Sequence, residues 1–267
     1  MFRRLPDTDV GRTNALDTPY LKWPDTLQSA RPLTQAEFDA MIAVRTPWKA
    51  AINAAASAQS LQNKAVAQAE AAVEVLEKNI SGFIQVFNLA VDRGYFLASD
   101  RAFYKLPSTS AATPPITSHN DRLNWAHNII DGEAMRATAE GPGTPATLDS
   151  GLRLDEGVHA DSLVGGYKPM AMPTVGEVAT ALAAYEAAHK VASDAKDAYE
   201  AAQLVVQGLR PAVDAQIVEL WDAIEYFFRH LEPSTLRRSA REWGVVYASR
   251  SGDPEDPTPP TPPPPTP

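Results

Sequence analysis

The chain has 267 residues, 44% hydrophobic and 21% charged, with a formal net charge of −9 and a pI near 5.1. That balance suits a soluble protein of one or two domains with a sizeable core, and it argues against nucleic-acid binding, which needs a basic face to displace counterions. Zero cysteines exclude disulfides, thiolate metal sites and cysteine nucleophiles, and no run approaches the roughly 20 apolar residues of a membrane span, so no membrane insertion is expected.

Residues 1–33 carry Pro6, Pro19, Pro24 and Pro32 among scattered Tyr20, Trp23 and Leu27, with neither helical nor strand period. This predicts an extended N-terminal arm. Its opening residues run into polar Asp7-Thr8-Asp9, which is not the pattern of a secretory signal, so cytoplasmic synthesis is expected; the final compartment stays open, a particle or filament being one option. Tyr20 and Trp23 mark the arm as a segment that lies against a surface, either this chain's own bundle or a neighbour.

Residues 34–97 read as a first helix followed by a long second one. Thr34-Gln35-Ala36-Glu37 fits a capping box, in which the threonine oxygen accepts from the third helical amide and the glutamate reaches back to the cap amide. Phe38, Met41 and Ile42 share a face up to Pro47, which either kinks that helix or opens the next at its first position. From Trp48 onward, Ile52, Ala55, Gln59, Gln62, Val66, Ala69, Val73, Leu76, Ile80, Phe83 and Phe87 advance in fours and threes. That is a heptad seam.

Residues 98–117 read as a loop, and 118–140 as a third helix with Ser118 as N-cap and Leu123, Ala126, Ile130 and Ala134 on one stripe. Residues 141–173 form a Gly/Pro-punctuated loop in which Thr147–Leu154 has the pattern of a small hairpin. A second capping box, Thr174 with Glu177, opens a long helix over 174–232 that Gly208 and Pro211 should kink. Its seam runs through Val178, Leu182, Tyr185, His189, Ala192 and Lys196, but a shifted frame through Ala188, Ala192, Ala195, Tyr199, Ala202, Val206 and Leu209 is cleaner in the middle, which predicts a stutter. Residues 233–250 form a short basic helix with an extended end. Residues 251–267 are a proline-rich tail that favours polyproline II.

Each long stretch has an alanine-rich half followed by a bulky one. Packed antiparallel, bulky halves meet small ones and fill the seam at near-native density. The expected fold is therefore all-α: an elongated helical bundle around an antiparallel, coiled-coil-like pair of long helices, with a shorter third helix. At about 1.5 Å per residue the first long stretch would span roughly 65 Å.

Chemistry is sparse. Asp155, Glu156, His159 and Asp161 place three carboxylates and an imidazole in one short segment, a donor set for hard or borderline cations. Their spacing matches no EF-hand, and a solvated polar loop produces the same cluster. Glu186 and His189 have the Glu-x-x-His spacing of di-iron bundles; the further carboxylates such a site needs are not evident, and His189 at a seam position reads as a buried or register-setting polar residue. Arg237, Arg238 and Arg241 could meet a carboxylate or phosphate, or form a solvated face. Pro259, Pro260, Pro262 and Pro263 satisfy the permissive polyproline-ligand pattern.

There is no Gly-x-Ser-x-Gly elbow, Walker loop or Gly-x-Gly-x-x-Gly. No enzyme and no cofactor are expected, and architecture alone does not license function. The leading expectation is a structural or self-assembling helical scaffold of bacterial or phage type, a homo-oligomer whose arm, loops and tail mediate packing. The alternative is an adaptor that binds a heterologous protein through its proline-rich tail. A metal-dependent bundle enzyme built on Glu186 and His189 is the third.

Overall fold

The computed structural model describes residues 2–108, 110–140, 169–170 and 172–248. In chain order these form β1 (Phe2–Arg3), α1 (Asp9–Lys22), α2 (Gln35–Asp92), α3 (His119–Glu140), α4 (Val175–Phe228), α5 (Pro233–Arg241) and β2 (Tyr247–Ala248), with 3-10 segments at Gln28–Ala30 and Ala98–Tyr104. The fold is an all-α helical bundle in which α2 packs against α4. The Asp155–Asp161 cluster, the hairpin pattern and the proline-rich tail lie outside the described residues.

The three N-caps read from sequence form as their chemistry requires. Glu37 N donates to Thr34 Oγ1 at 3.3 Å while Thr34 N donates to Glu37 Oε2 at 2.7 Å. Thr174 and Glu177 repeat the exchange at 3.2 and 2.6 Å. Ser118 Oγ accepts from Asp121 N at 3.1 Å, and Asp121 Oδ2 accepts from Ser118 N at 2.9 Å. Pro47 neither ends a helix nor begins one; α2 runs through it, so the two predicted helices are one. Its missing N–H leaves the Ala43 carbonyl without a helical donor, and both residues lie on the exposed side, where water can satisfy it. Pro211 and Gln207 are placed the same way inside α4.

The chain divides into two compact units, residues 1–60 with 197–267, and residues 61–196. In the first, Phe38, Met41, Trp48, Ala51 and Ala55 of α2 share a core with Val206, Val213, Ile217, Leu220, Trp221 and Ile224 of α4. In the second, Leu76, Ile80, Phe83 and Phe87 of α2 meet Val178, Ala181, Leu182 and Tyr185 of α4. Early α2 meets late α4 and late α2 meets early α4, so the two helices run antiparallel.

The seam itself is shifted from the sequence reading. In α2, Ala58 and Ala65 turn inward where Gln59 and Val66 were expected, and Val66 is exposed. In α4 the alternative frame holds: Ala188, Ala192, Ala195, Tyr199 and Ala202 are half-buried, whereas His189 and Lys196 are exposed. Where two helices approach closely, only a Cβ fits between them, so alanine takes the inner position and the longer neighbour is turned out.

The N-terminal segment is not an extended arm. Residues 9–22 are helical, with Thr8 as N-cap accepting from Gly11 N at 3.1 Å and Asp9 in the first turn. Leu16, Pro19 and Trp23 fall on one helical face and are buried in the first unit. Trp23 stacks on Phe38 with ring centroids 4.1 Å apart, and the Arg45 guanidinium lies 3.6 Å from the centroid of Tyr20. Both aromatics therefore lie on this chain's own helices. The terminus is closed by β1 pairing antiparallel with β2, Arg3 opposite Tyr247, after a turn in which Gly244 adopts φ +92°.

Two crossed pairs fix α1 on α4. Arg12 donates to both carboxylate oxygens of Asp214 at 2.7 and 3.0 Å, and Arg210 donates to both of Asp9 at 2.9 and 2.7 Å. The hydrogen bonds from Arg210, aided by the charges of Arg210 and Arg12, hold the Asp9 carboxyl below its ordinary value against the opposing effect of burial. A carboxyl depressed in the folded state stabilises fully above its unfolded pKa, and that contribution disappears as pH falls through the folded value. Urea titrations between about pH 5 and pH 2 should therefore show the first unit losing stability towards acid, with a shallower slope in Asp9→Asn. An identical slope in the variant would remove Asp9 from the account.

Candidate functional site

Among the described residues, polar or open features occur at and beside the cores. The first is a buried network in the second unit, built where α3 meets the 3-10 segment Ala98–Tyr104. The Tyr104 hydroxyl donates to Glu133 and accepts from Arg136 Nε at 2.9 Å. Arg136 Nη2 donates to Glu133 at 3.0 Å, and its Nη1 donates to both oxygens of Glu140 at 3.1 and 3.2 Å. The guanidinium also lies 4.6 Å from the centroid of Phe96, and Met170 N donates to Glu133 at 3.4 Å.

Burial, followed by the bond and charge of Glu133, pushes the Tyr104 hydroxyl well above the ordinary tyrosine range, so it remains a protonated donor. Arg136 and Glu133 are each almost completely buried. A buried ion pair is tolerated when its remaining hydrogen-bonding capacity is filled, as it is here, and removing one partner would strand the other. This arrangement positions a turn.

The second feature joins the start of α3 to α4. His119 Nδ1 bonds the Tyr185 hydroxyl, and the His119 ring stacks on His189 with centroids 4.4 Å apart and planes 27° from parallel. Beside them Arg122 Nε donates to Glu77 of α2 at 2.7 Å. His189 is thus an exposed stacking partner, not a buried register-setting residue. Glu186 is exposed on the same helix. Among the described residues no group of three or more histidines, aspartates or glutamates is placed to hold a metal ion.

The third feature, in the first unit, is an open groove of about 960 Å3 along the last turns of α4, faced by the segment that leads into α2. Of the three basic residues on α5, Arg238 and Arg241 are exposed and Arg237 is half-buried. Arg241 lies 5.5 Å from the centroid of Tyr247 and, with Arg4 and Thr8, lines a recess of about 440 Å3. Arg241 is therefore drawn towards the paired N- and C-terminal strands.

No family model matches the sequence, and neither a curated protein nor a solved structure matches it. Among the described residues no helix is long and apolar enough to cross a membrane.

Sequence reasoning missed the Tyr104–Glu133–Arg136 network. Glu133 and Arg136 sit three apart on α3, which reads as an ordinary surface pair. The one local signal is Gly132 in the middle of a helix, where glycine costs about 1 kcal/mol relative to alanine and so implies a packing reason. A methyl at 132 would sit 2.6 Å from both the Phe103 carbonyl oxygen and Tyr104 Cδ1. Gly132→Ala should lower stability in chemical denaturation, because overpacking of about 1–3 kcal/mol exceeds the helix-propensity gain of about 1 kcal/mol. A variant more stable than the parent would contradict this close approach.

Proposed function

We propose that the protein is a structural scaffold that self-associates through the sides of its long helices. One observation carries the reading. In the second unit, Leu61, Val75 and Leu89 of α2 are 63%, 54% and 47% exposed and recur every second heptad, with Gln68 and Gly82 at the positions between them and Pro173 beside Gly82. Single exposed apolar residues need no explanation, but recurrence in heptad phase is how one helix presents a seam to another.

Around the start of this stripe the unit is thin. Leu61, Lys64, Ala65 and Gln68 of α2 face Val191, Asp194 and Ala195 of α4 across an open space of about 430 Å3. Alanine contacts bury little apolar area, so a pair of helices in this stretch gains from a third helix laid against it. A second copy of the chain supplies that helix in a symmetric arrangement, since one self-complementary face serves both partners. In the first unit α4 likewise exposes Leu204 and Val205.

Sedimentation velocity over a wide concentration range tests this. The parent chain should populate species larger than a monomer, and the double substitution Leu61→Glu, Val75→Glu should return it to monomer with its helical circular dichroism retained. A parent chain that stays monomeric at every concentration would sink the proposal.

A further inference from the structure

The groove of about 960 Å3 in the first unit has an aromatic floor and a polar rim. Tyr226 is 64% exposed, and the Arg229 guanidinium sits 3.8 Å from its ring centroid. The ring is thus held by a cation and remains open to a ligand. Phe227 follows it on α4 and His230 lies in the turn just beyond that helix, and Arg31 and Pro32 face them from the segment before α2. Exposed aromatic rings in a shallow groove are what polyproline helices dock against, because a preformed helix loses little entropy on binding.

The chain carries such a ligand of its own, the sequence Pro257–Pro267. The last described strand, Tyr247–Ala248, lies close to the groove. The Tyr247 hydroxyl donates to Glu225 Oε1 at 2.6 Å, and Arg3, paired with Tyr247 across the strands, bonds Asp222, a residue of the groove itself. Residues 249–267 at about 3.1 Å per residue reach tens of ångströms, ample to lay the prolines along neighbouring turns of α4. The groove carries both signs: Arg31 and Arg229 stand with Glu37, Glu219 and Asp222, of which Asp222 is bonded by Arg3 and Glu37 by Thr34. A tail laid in it would bring Asp253, Glu255 and Asp256 within reach of the two arginines.

We propose that this groove binds the chain's own proline-rich tail, Pro257–Pro267, in cis. A tethered ligand acts at an effective concentration in the millimolar range, which gives it the advantage over the tail of another copy. The assignment is independent of the lateral stripe on α2, which lies in the other unit.

The absence of cysteine makes the test direct. A nitroxide attached to full-length Thr261→Cys should cause a several-fold loss of amide signal at Ala223, Phe227 and His230, restored by reducing the label. Adding Tyr226→Ala, a change at an exposed position, should abolish most of that loss while leaving the other amide shifts in place. Uniform, weak broadening, or selective broadening that Tyr226→Ala does not alter, overturns the proposal. Mixing spin-labelled chains with separately 15N-labelled, cysteine-free chains should give no selective loss. An equal loss in that mixture would mean that the tail of a second copy occupies the groove and would overturn the cis assignment.

Discussion

Two antiparallel helices approach closely only where at least one presents small side chains. In the first unit α2 offers Ala51 and Ala55 to the branched and aromatic side chains of α4, among them Val213, Ile217 and Trp221. In the second unit the direction of the gift is reversed, with Ala181 and Val178 of α4 set among Leu76, Phe83 and Phe87 of α2. Bulky residues share these layers with the alanines, Met41 and Trp48 of α2 in the first unit and Leu182 and Tyr185 of α4 in the second, so the alanines set the closest approaches and do not by themselves fix the packing.

Small contacts have a consequence for everything that packs around them. Alanine layers bury little area, so each unit recruits further elements to complete its core. In the first unit these are α1, through Leu16 and Trp23, and α5 with its following turn, through Ala240, Trp243 and Val245. In the second they are α3, through Ala126 and Ile129, and the 3-10 segment, through Tyr104. Apolar burial is non-directional, whereas the polar links at these joints specify position. Arg12 with Asp214 and Arg210 with Asp9 pin α1 at one height on α4, and the Tyr104–Glu133–Arg136 network does the same for the 3-10 segment on α3.

What was legible in the sequence was what local chemistry decides. The caps at Thr34, Ser118 and Thr174 need only residues a few positions apart, and all three stand where the sequence put them. The helix over residues 9–22 was hidden because its prolines and polar residues mask a short apolar face; the signal that remained was Thr8 before an acidic first turn, with Leu16, Pro19 and Trp23 in helical phase. The seam register was read wrongly at Val66 and His189 for a different reason. Hydrophobicity favours the larger apolar residue inside, but the distance between helix axes, a tertiary quantity, admits alanine and turns valine outward. The Arg136 network was illegible because its key geometry, the approach of the Phe103 carbonyl to Gly132, joins segments whose meeting no periodicity encodes.

The groove at Tyr226 bears on how the proline-rich tail can be used. A tail that docks in cis is partly withdrawn from any foreign domain that reads polyproline, and the apparent affinity of that domain falls in proportion to the free fraction. A cis contact favoured ten to one would cost such a competitor about 1.4 kcal/mol, a barrier that rises with every acid–arginine contact added at the root of the tail. An adaptor that presents its ligand freely would be better served by a rigid surface without an exposed aromatic beside the tail's own exit. Here that exit, at the strand pair Arg3–Tyr247, is bonded through Asp222 and Glu225 to the same turns of α4 that carry Tyr226. If the groove binds the tail, that placement gives the tail's own chain the advantage over a foreign domain.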